Sequence, residues 1–231
     1  MLVSEIFYSV QGEGQLTGVP SVFVRTSGCN LRCAWCDTPY ASWSPEGKKK
    51  DVGEVVAEVL RHSAGHVVLT GGEPMIANEI GELADAMRAH DLHITIETAG
   101  TVAPDGVACD LASISPKLVN STPAPGSIDD AWIDRHNARR LPISILREWI
   151  DSYDFQLKFV VSTQADVEEV QQLLADLARQ IPASKVLLMP EGTTTEQLSK
   201  RSDWLVEVCK EHGYRFCPRL QIDLFGDTRG T

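Results

Sequence analysis

A chain of 231 residues with 43% hydrophobic and 23% charged residues can bury a full core as one domain, and no apolar run reaches the ~18 residues of a membrane helix. Its 21 basic and 32 acidic residues give a formal charge of −11, which argues against a sequence-independent grip on nucleic acid, because that relies on Lys and Arg neutralising phosphates. A small-molecule ligand is expected, with no nucleic-acid and no membrane partner. The opening residues, MLVSEIFYSV, lack the basic region and long apolar core of an export signal. A soluble cytoplasmic protein is therefore expected, in which the six cysteines stay reduced.

Short β-branched runs alternate with amphipathic helical patterns, as a parallel sheet with crossover helices requires. In chain order the pattern predicts strands at 22–26, 66–70, 93–98, 110–114, 156–161 and 185–189. Helices are expected at 51–62, 78–90, 164–179 and 194–212, with Asp51 and Thr195 as N-terminal signals. The PEGKKKD segment holding Lys48 to Lys50 reads as a solvated loop. About six parallel strands are too few for a closed eight-stranded barrel. The expected fold is α/β, an open, partial TIM-like barrel in a single domain, 1–231. Residues 119–149 interrupt the alternation with a turn cluster, STPAPGS, and a polar helix-like piece, IDDAWIDRHNARR, and are expected to form a rim insertion.

In parallel sheets of this kind ligands lie beyond the carboxyl ends of the strands. Five unusual stretches, the cysteine loop SGCNLRCAWCDT and then GGEP, ETAG, SPK and MPEG, each follow a predicted strand at that same end. One shared active site is favoured over five unrelated turns. Cys109, Cys209 and Cys217 stand among apolar neighbours and read as small hydrophobes.

Cys29, Cys33 and Cys36 offer soft thiolates in a CxxxCxxC spacing, suited to zinc or to an iron–sulfur cluster. A closed zinc site needs a fourth ligand, for which Cys109 and His62 are candidates, although neither lies in a second paired motif. A four-iron cube on three cysteines leaves one iron open to a small molecule.

CNLRCAWC resembles the signature of the radical S-adenosylmethionine enzymes, with Trp35 before the last cysteine, and TGGEP resembles their GGE motif. The resemblance implies a radical SAM core with a 4Fe-4S cluster whose unique iron is chelated by S-adenosylmethionine, and reductive cleavage to a 5′-deoxyadenosyl radical. In GGEP, Gly71 and Gly72 allow close approach of a ligand to the backbone, and Glu73 can accept from an ammonium.

A narrower resemblance runs almost end to end. EIFYSVQGEGQLTGVPSVFVRTSGCNLRCAWCDT, ETAG, SPK and RLQIDLFGDTRGT are similar to the 7-carboxy-7-deazaguanine synthase family. That resemblance implies a lyase that converts 6-carboxy-5,6,7,8-tetrahydropterin to 7-carboxy-7-deazaguanine by radical ring contraction, with loss of ammonia and with S-adenosylmethionine regenerated, on the route to queuosine and other 7-deazapurines. It assigns the pterin to Val10, Gln11, Gly12, Glu13, Arg25 and Thr70, an inventory that suits a pyrimidinone edge and a carboxylate. It assigns S-adenosylmethionine to Trp35, Cys36, Asp37, Gly72, Ser115, Pro116, Lys117, Leu188, Met189, Pro190 and Glu191, and magnesium (Mg2+) to Thr38, a hard-oxygen ligand. ETAG carries Ala99 where the family commonly has Asn, so a polar contact there is lost or passes to water.

On chemical grounds Glu13 or Glu97 is the candidate for the proton transfers that accompany ammonia loss. Lys158 reads either as a buried cation near these acids or as a snorkelling strand lysine. The family also implies a homodimer and an electron donor such as flavodoxin. Two other readings remain: a glycyl-radical-enzyme activating protein, which shares the cluster motif, and a non-catalytic zinc-binding module.

Overall fold

The computed structural model describes residues Met1–Thr231. The chain opens with β1 (Leu2–Val10), an unforeseen strand, which turns back through 11–19 to pair antiparallel with β2 (Pro20–Thr26). After the cysteine loop come a single-turn helix α1 (Pro39–Ser42) and β3 (Lys48–Lys49). Expected as loop, those lysines instead pair with Leu2 and Val3 as the outermost strand. Their exposed charges suit an edge, where an apolar strand would invite other chains to add.

The alternation then begins. Helix α2 (Val52–Val59) starts in a capping box in which Asp51 accepts from the Glu54 N–H and Glu54 accepts from the Asp51 N–H. It leads to β4 (His66–Gly71), α3 (Ile80–Arg88), β5 (His93–Thr98) and β6 (Leu111–Ile114). Beyond β6 the segment 119–149 divides. Helix α4 (Asp130–Arg139) is mostly exposed, whereas α5 (Ile143–Ser152) buries Leu146 and Trp149 completely in the main core. That helix is the ordinary crossover before β7 (Phe155–Val161), so only the stretch ahead of it stands out from the barrel.

The remaining elements are α6 (Gln164–Leu177), β8 (Val186–Pro190), α7 (Thr195–His212), β9 (Arg215–Phe216) and α8 (Leu220–Phe225). The cap of α7 is Thr194, one residue before the expected signal, and it accepts from the Gln197 N–H. Helix α7 stops at Gly213, whose φ of 69° gives the left-handed turn that a C-cap needs.

The nine strands form one sheet in the order β3-β1-β2-β4-β5-β6-β7-β8-β9. From β2 onward neighbouring strands are parallel. The edges β3 and β9 do not meet, so this is an open barrel of α/β type, and the six expected strands are its β2 and β4 to β8. Side chains alternate across such a sheet. Val22, Val24, Val67, Leu69, Ile94, Ile96, Leu157 and Phe159 face the helices and form the main core. The alternate set, Phe23, Arg25, Thr70, Glu97, Ser113 and Lys158, faces the concave side and lines a cleft.

Candidate active site

The cleft opens at the carboxyl ends of the parallel strands. It is lined by Val10, Gln11, Gly12, Glu13, Arg25, Cys29, Cys33, Trp35, Cys36, Asp37, Thr38, Thr70, Gly72, Glu97, Ser115, Lys117 and Met189 among the residues expected there. Pro116, Leu188, Pro190 and Glu191 do not line it. The strand period explains the last three. Met189 points inward beside Val160 and Trp35, so Leu188 points into the helix-side core, and Glu191 lies beyond the strand, paired with Arg201 at 2.8 Å.

Glu13 is held by three side-chain donors. Its Oε2 accepts from Lys158 Nζ, and its Oε1 accepts from Arg219 Nε at 3.0 Å and Gln221 Nε2 at 2.7 Å. Burial works against its charge, yet Lys158 and Arg219 outweigh burial and hold the carboxyl far below the usual carboxylate range. Lys158 is likewise opposed by burial but raised by Glu13 and Glu97, so it is a buried ammonium and not a snorkelling side chain. Arg219 extends the chain: Nη2 donates to Asp37 of the cysteine loop and Nη1 to the Gly192 carbonyl at 2.6 Å. A carboxylate so thoroughly paired accepts a proton less readily than one held by neutral donors.

Glu97 is surrounded differently. Oε1 accepts from Gln11 Nε2 at 3.1 Å and Oε2 from Thr70 Oγ1 at 2.9 Å, both neutral donors. Gln11 Oε1 accepts the Glu13 N–H at 3.1 Å, which fixes the orientation of its amide. Arg25 donates Nε to Glu5 at 2.7 Å and leaves its two Nη groups without a partner in the chain. Glu5 also takes the Tyr40 hydroxyl at 2.9 Å, so the guanidinium fork is fixed from behind.

Gly71 and Gly72 line the cleft, whereas Glu73 turns away from it into the packing. Glu73 is fully buried and accepts from Thr98 Oγ1 at 2.8 Å, the Ala99 N–H at 2.9 Å and the Met75 N–H at 3.2 Å. Burial raises its pKa against these three donors. A Cβ on Gly71 would lie 2.3 Å from the Thr26 carbonyl, and one on Gly72 would lie 2.2 Å from that of Gly28. Both glycines thus admit the neighbouring strand end and the cysteine loop. GGE is a brace that seats the loop on β4 and β5, and the Ala99 N–H is part of it.

The three cysteine thiols all face the cleft, while Cys109, Cys209 and Cys217 lie elsewhere in the packing. Burial pushes the Cys29 thiol up to about 11 and that of Cys33 up to about 12, so metal binding there releases protons. The set fits a 4Fe-4S cluster: three soft donors on one loop, with no fourth Cys or His drawn into a single-ion group beside them. Neither Cys109 nor His62 lines the cleft, which removes the fourth ligand that a closed zinc site would need. Beside the cysteines, Trp35 donates Nε1 to Asn120 at 3.1 Å, Lys117 donates to Ser115 Oγ at 2.8 Å, and Lys117 Nζ lies 5.3 Å from the Trp35 ring centre. Thr38 lines the cleft without a cap bond from its hydroxyl.

Arg219 and Gln221 were not foreseen. Their segment, RLQIDLF, carries one legible signal, an arginine at the start of a short apolar helix. Only the fold brings it 206 residues back along the chain to Glu13.

Residues 23–122 match the model of the radical SAM superfamily. Over its whole length the chain is 48% identical to a 7-carboxy-7-deazaguanine synthase of Rhodopirellula baltica, of which it covers 89%. Over 99% of its length it is 46% identical to that of Halobacterium salinarum, of which it covers 92%. Among solved structures it is similar to QueE from Escherichia coli, with a TM-score of 0.64 and 28% identity over 94% of this chain and 92% of that one. TYW1 with a lysine-pyruvate adduct, at 12% identity and a TM-score of 0.56 over 83% of this chain and 72% of that one, shares the fold.

Proposed function

The chain belongs to the 7-carboxy-7-deazaguanine synthases of the radical SAM superfamily, and from this premise we propose how its cleft divides the work. It is a lyase of queuosine biosynthesis that forms 7-carboxy-7-deazaguanine from 6-carboxy-5,6,7,8-tetrahydropterin with release of ammonia. The observation that carries this reading is identity close to half over the full length of a named relative. When bound, the cluster and S-adenosylmethionine supply the one-electron chemistry that takes a hydrogen atom from the pterin and returns it.

The chain's own groups orient the substrate and handle its protons. Arg25, braced by Glu5, presents two Nη donors to the substrate carboxylate as a fork. Gln11, Thr70 and Glu97 hold the ring edge, with Val10 and Gly12 walling the same end. Glu97 is the proton-transfer group, because its present partners are neutral donors that substrate N–H groups can replace. Glu13 is a fixed anion, buried and paired.

On the other side Trp35, Cys36, Asp37, Gly72, Ser115, Lys117 and Met189 would hold S-adenosylmethionine, and Thr38 would supply a hard hydroxyl oxygen to magnesium. Pro116, Leu188, Pro190 and Glu191 act only through the strand ends they belong to. Two partners complete the reading, an electron donor such as flavodoxin and a second copy of the chain, the latter supported by exposed Leu224 and Phe225 on α8. No helix is long and apolar enough to cross a membrane.

Anaerobically reconstituted protein, given reductant, S-adenosylmethionine, magnesium and carboxytetrahydropterin, is expected to release ammonia and the deazaguanine acid while S-adenosylmethionine is conserved. Stoichiometric consumption of S-adenosylmethionine without that product would overturn the reading.

A further inference from the structure

His136 is the only fully buried residue of α4, and no substrate or cofactor role accounts for it. Its Nδ1 lies 3.2 Å from the backbone nitrogen of Arg32, the residue before Cys33. A peptide N–H can only donate, so Nδ1 is the bare acceptor and Nε2 carries the proton. Nε2–H then donates to Ser121 Oγ at 3.0 Å, and that hydroxyl donates onward to the Leu118 carbonyl at 2.6 Å. Ser121 also uses its backbone: its carbonyl accepts the Ala34 N–H at 2.8 Å. The two peptide N–H groups that flank Cys33 are thus both drawn toward the rim segment. By contrast the Leu31 N–H, which has no such acceptor, turns to Cys29 Sγ at 3.4 Å.

This arrangement bears on the electronics of an iron–sulfur cluster. N–H groups that point at cluster sulfurs stabilise the more negative reduced state, and hydrogen bonding to sulfur is one of the main controls of cluster potential. We propose that His136 is a positioning residue for the cluster, which holds the Arg32 N–H away from the sulfurs, fixes the backbone on the amino side of Cys33, and so keeps the cluster a strong reductant. Arg32 is gripped a second time by the same helix, its guanidinium stacked on Trp132 at 4.2 Å while Nη1 donates to the carbonyls of Cys29 and Leu31. The part of 119–149 that stands out from the barrel is, on this view, a clamp on the cysteine loop. The inference rests on the reading of that loop as a cluster site.

The test compares His136→Asn with His136→Gln. The Asn carbonyl can occupy the place of Nδ1 and accept the Arg32 N–H, whereas Gln reaches the Nε2 position and leaves that N–H free. After anaerobic reconstitution, the iron and sulfide content, the electron paramagnetic resonance spectrum of the reduced cluster and its midpoint potential are measured beside wild type. The expected result is a potential close to wild type for H136N, and for H136Q a more positive potential with an altered spectrum. Equal potentials in the two variants would overturn the inference. So would H136N shifted as far as H136Q. Wild-type protein that takes up no cluster would instead refute the cluster reading itself. Should H136Q not fold, His136→Ala, which likewise leaves the Arg32 N–H free, is expected to give the more positive potential, and a potential equal to that of wild type would overturn the inference.

Discussion

On one side of the cleft the peptide groups around Cys33 and the Trp35 indole are held by neutral hydrogen bonds, through His136, Ser121, Asn120 and the indole of Trp43 on the Cys33 carbonyl. On the other side Lys158, Glu13 and Arg219 form a buried chain of alternating charges that ends on the partly exposed Asp37 of the cysteine loop. The difference follows from what each wall must accommodate. A fixed charge beside a cluster shifts its potential by a large amount, because low-dielectric surroundings screen it poorly. Neutral donors and acceptors position the backbone around Cys33 at little electrostatic cost. At the substrate end, a carboxylated and aminated ligand needs charges that do not relax when it arrives, and mutual pairing keeps Glu13, Lys158 and Arg219 in place.

The contrast can be broken from either side. The largest effect is expected from Cys33→Ser, which removes a cluster ligand: turnover falls to background, and the visible iron–sulfur absorption of reconstituted protein is lost with it. Next comes Lys158→Ala, which strands Glu13 as a buried, half-paired anion. Breaking one partner of such a pair costs about 3–5 kcal/mol, to be read by chemical denaturation. Arg25→Ala leaves the fold and the cluster intact and weakens substrate binding by roughly ten- to a hundredfold, the equivalent of about 1.5–3 kcal/mol for hydrogen bonds to a charged group. An unchanged substrate affinity, measured by titration, would remove Arg25 from the binding set.

Acid sharpens the comparison, because the two walls titrate in different windows. Burial, aided by Arg140 and Lys117, lowers the pKa of His136 from 6.5 to about 4, so between these values the unfolded chain binds the extra proton and the folded chain resists it. Its share of the stability is complete above pH 6.5 and declines as pH falls toward 4. Glu13, whose folded value lies far below its ordinary 4.5, keeps its contribution until pH falls through about 4.5. Thermal unfolding followed from neutral to strongly acid pH is therefore expected to show an early loss that H136N flattens, ahead of a later loss that Glu13→Gln flattens. The smallest effect is reserved for Glu191→Gln. It breaks a partly exposed pair with Arg201, worth less than about 1 kcal/mol, and leaves S-adenosylmethionine affinity unchanged.

The parallel strands and their crossover helices were legible because both of their periods are written in the order of residues, and the ligand-bearing turns because they fall at one end of those strands. Strand β1 lies outside the predicted set although LVSEIFYSV is rich in β-branched and aromatic residues, and α5 lies within the expected insertion although ISILREWI has a helical stripe. Both are local signals. β3 and β9 could not have been read locally, since two residues become a strand only when a neighbour supplies the ladder.

The sequence by itself limited the cysteine loop to thiolate-bound metal chemistry, through three thiols of fixed spacing, and pointed to the family and its cofactors through the resemblance of motifs spread over the whole chain. Only the tertiary structure decided which side chains share a charge or a proton. It made Glu13 a paired anion and Glu73 a brace, brought Arg219 and Gln221 into the cleft, and set His136 against the peptide beside Cys33. The reason is physical. Thiolate spacing is a property of a few consecutive residues, whereas pKa and hydrogen-bond partnership depend on distances between segments that only the folded sheet brings together.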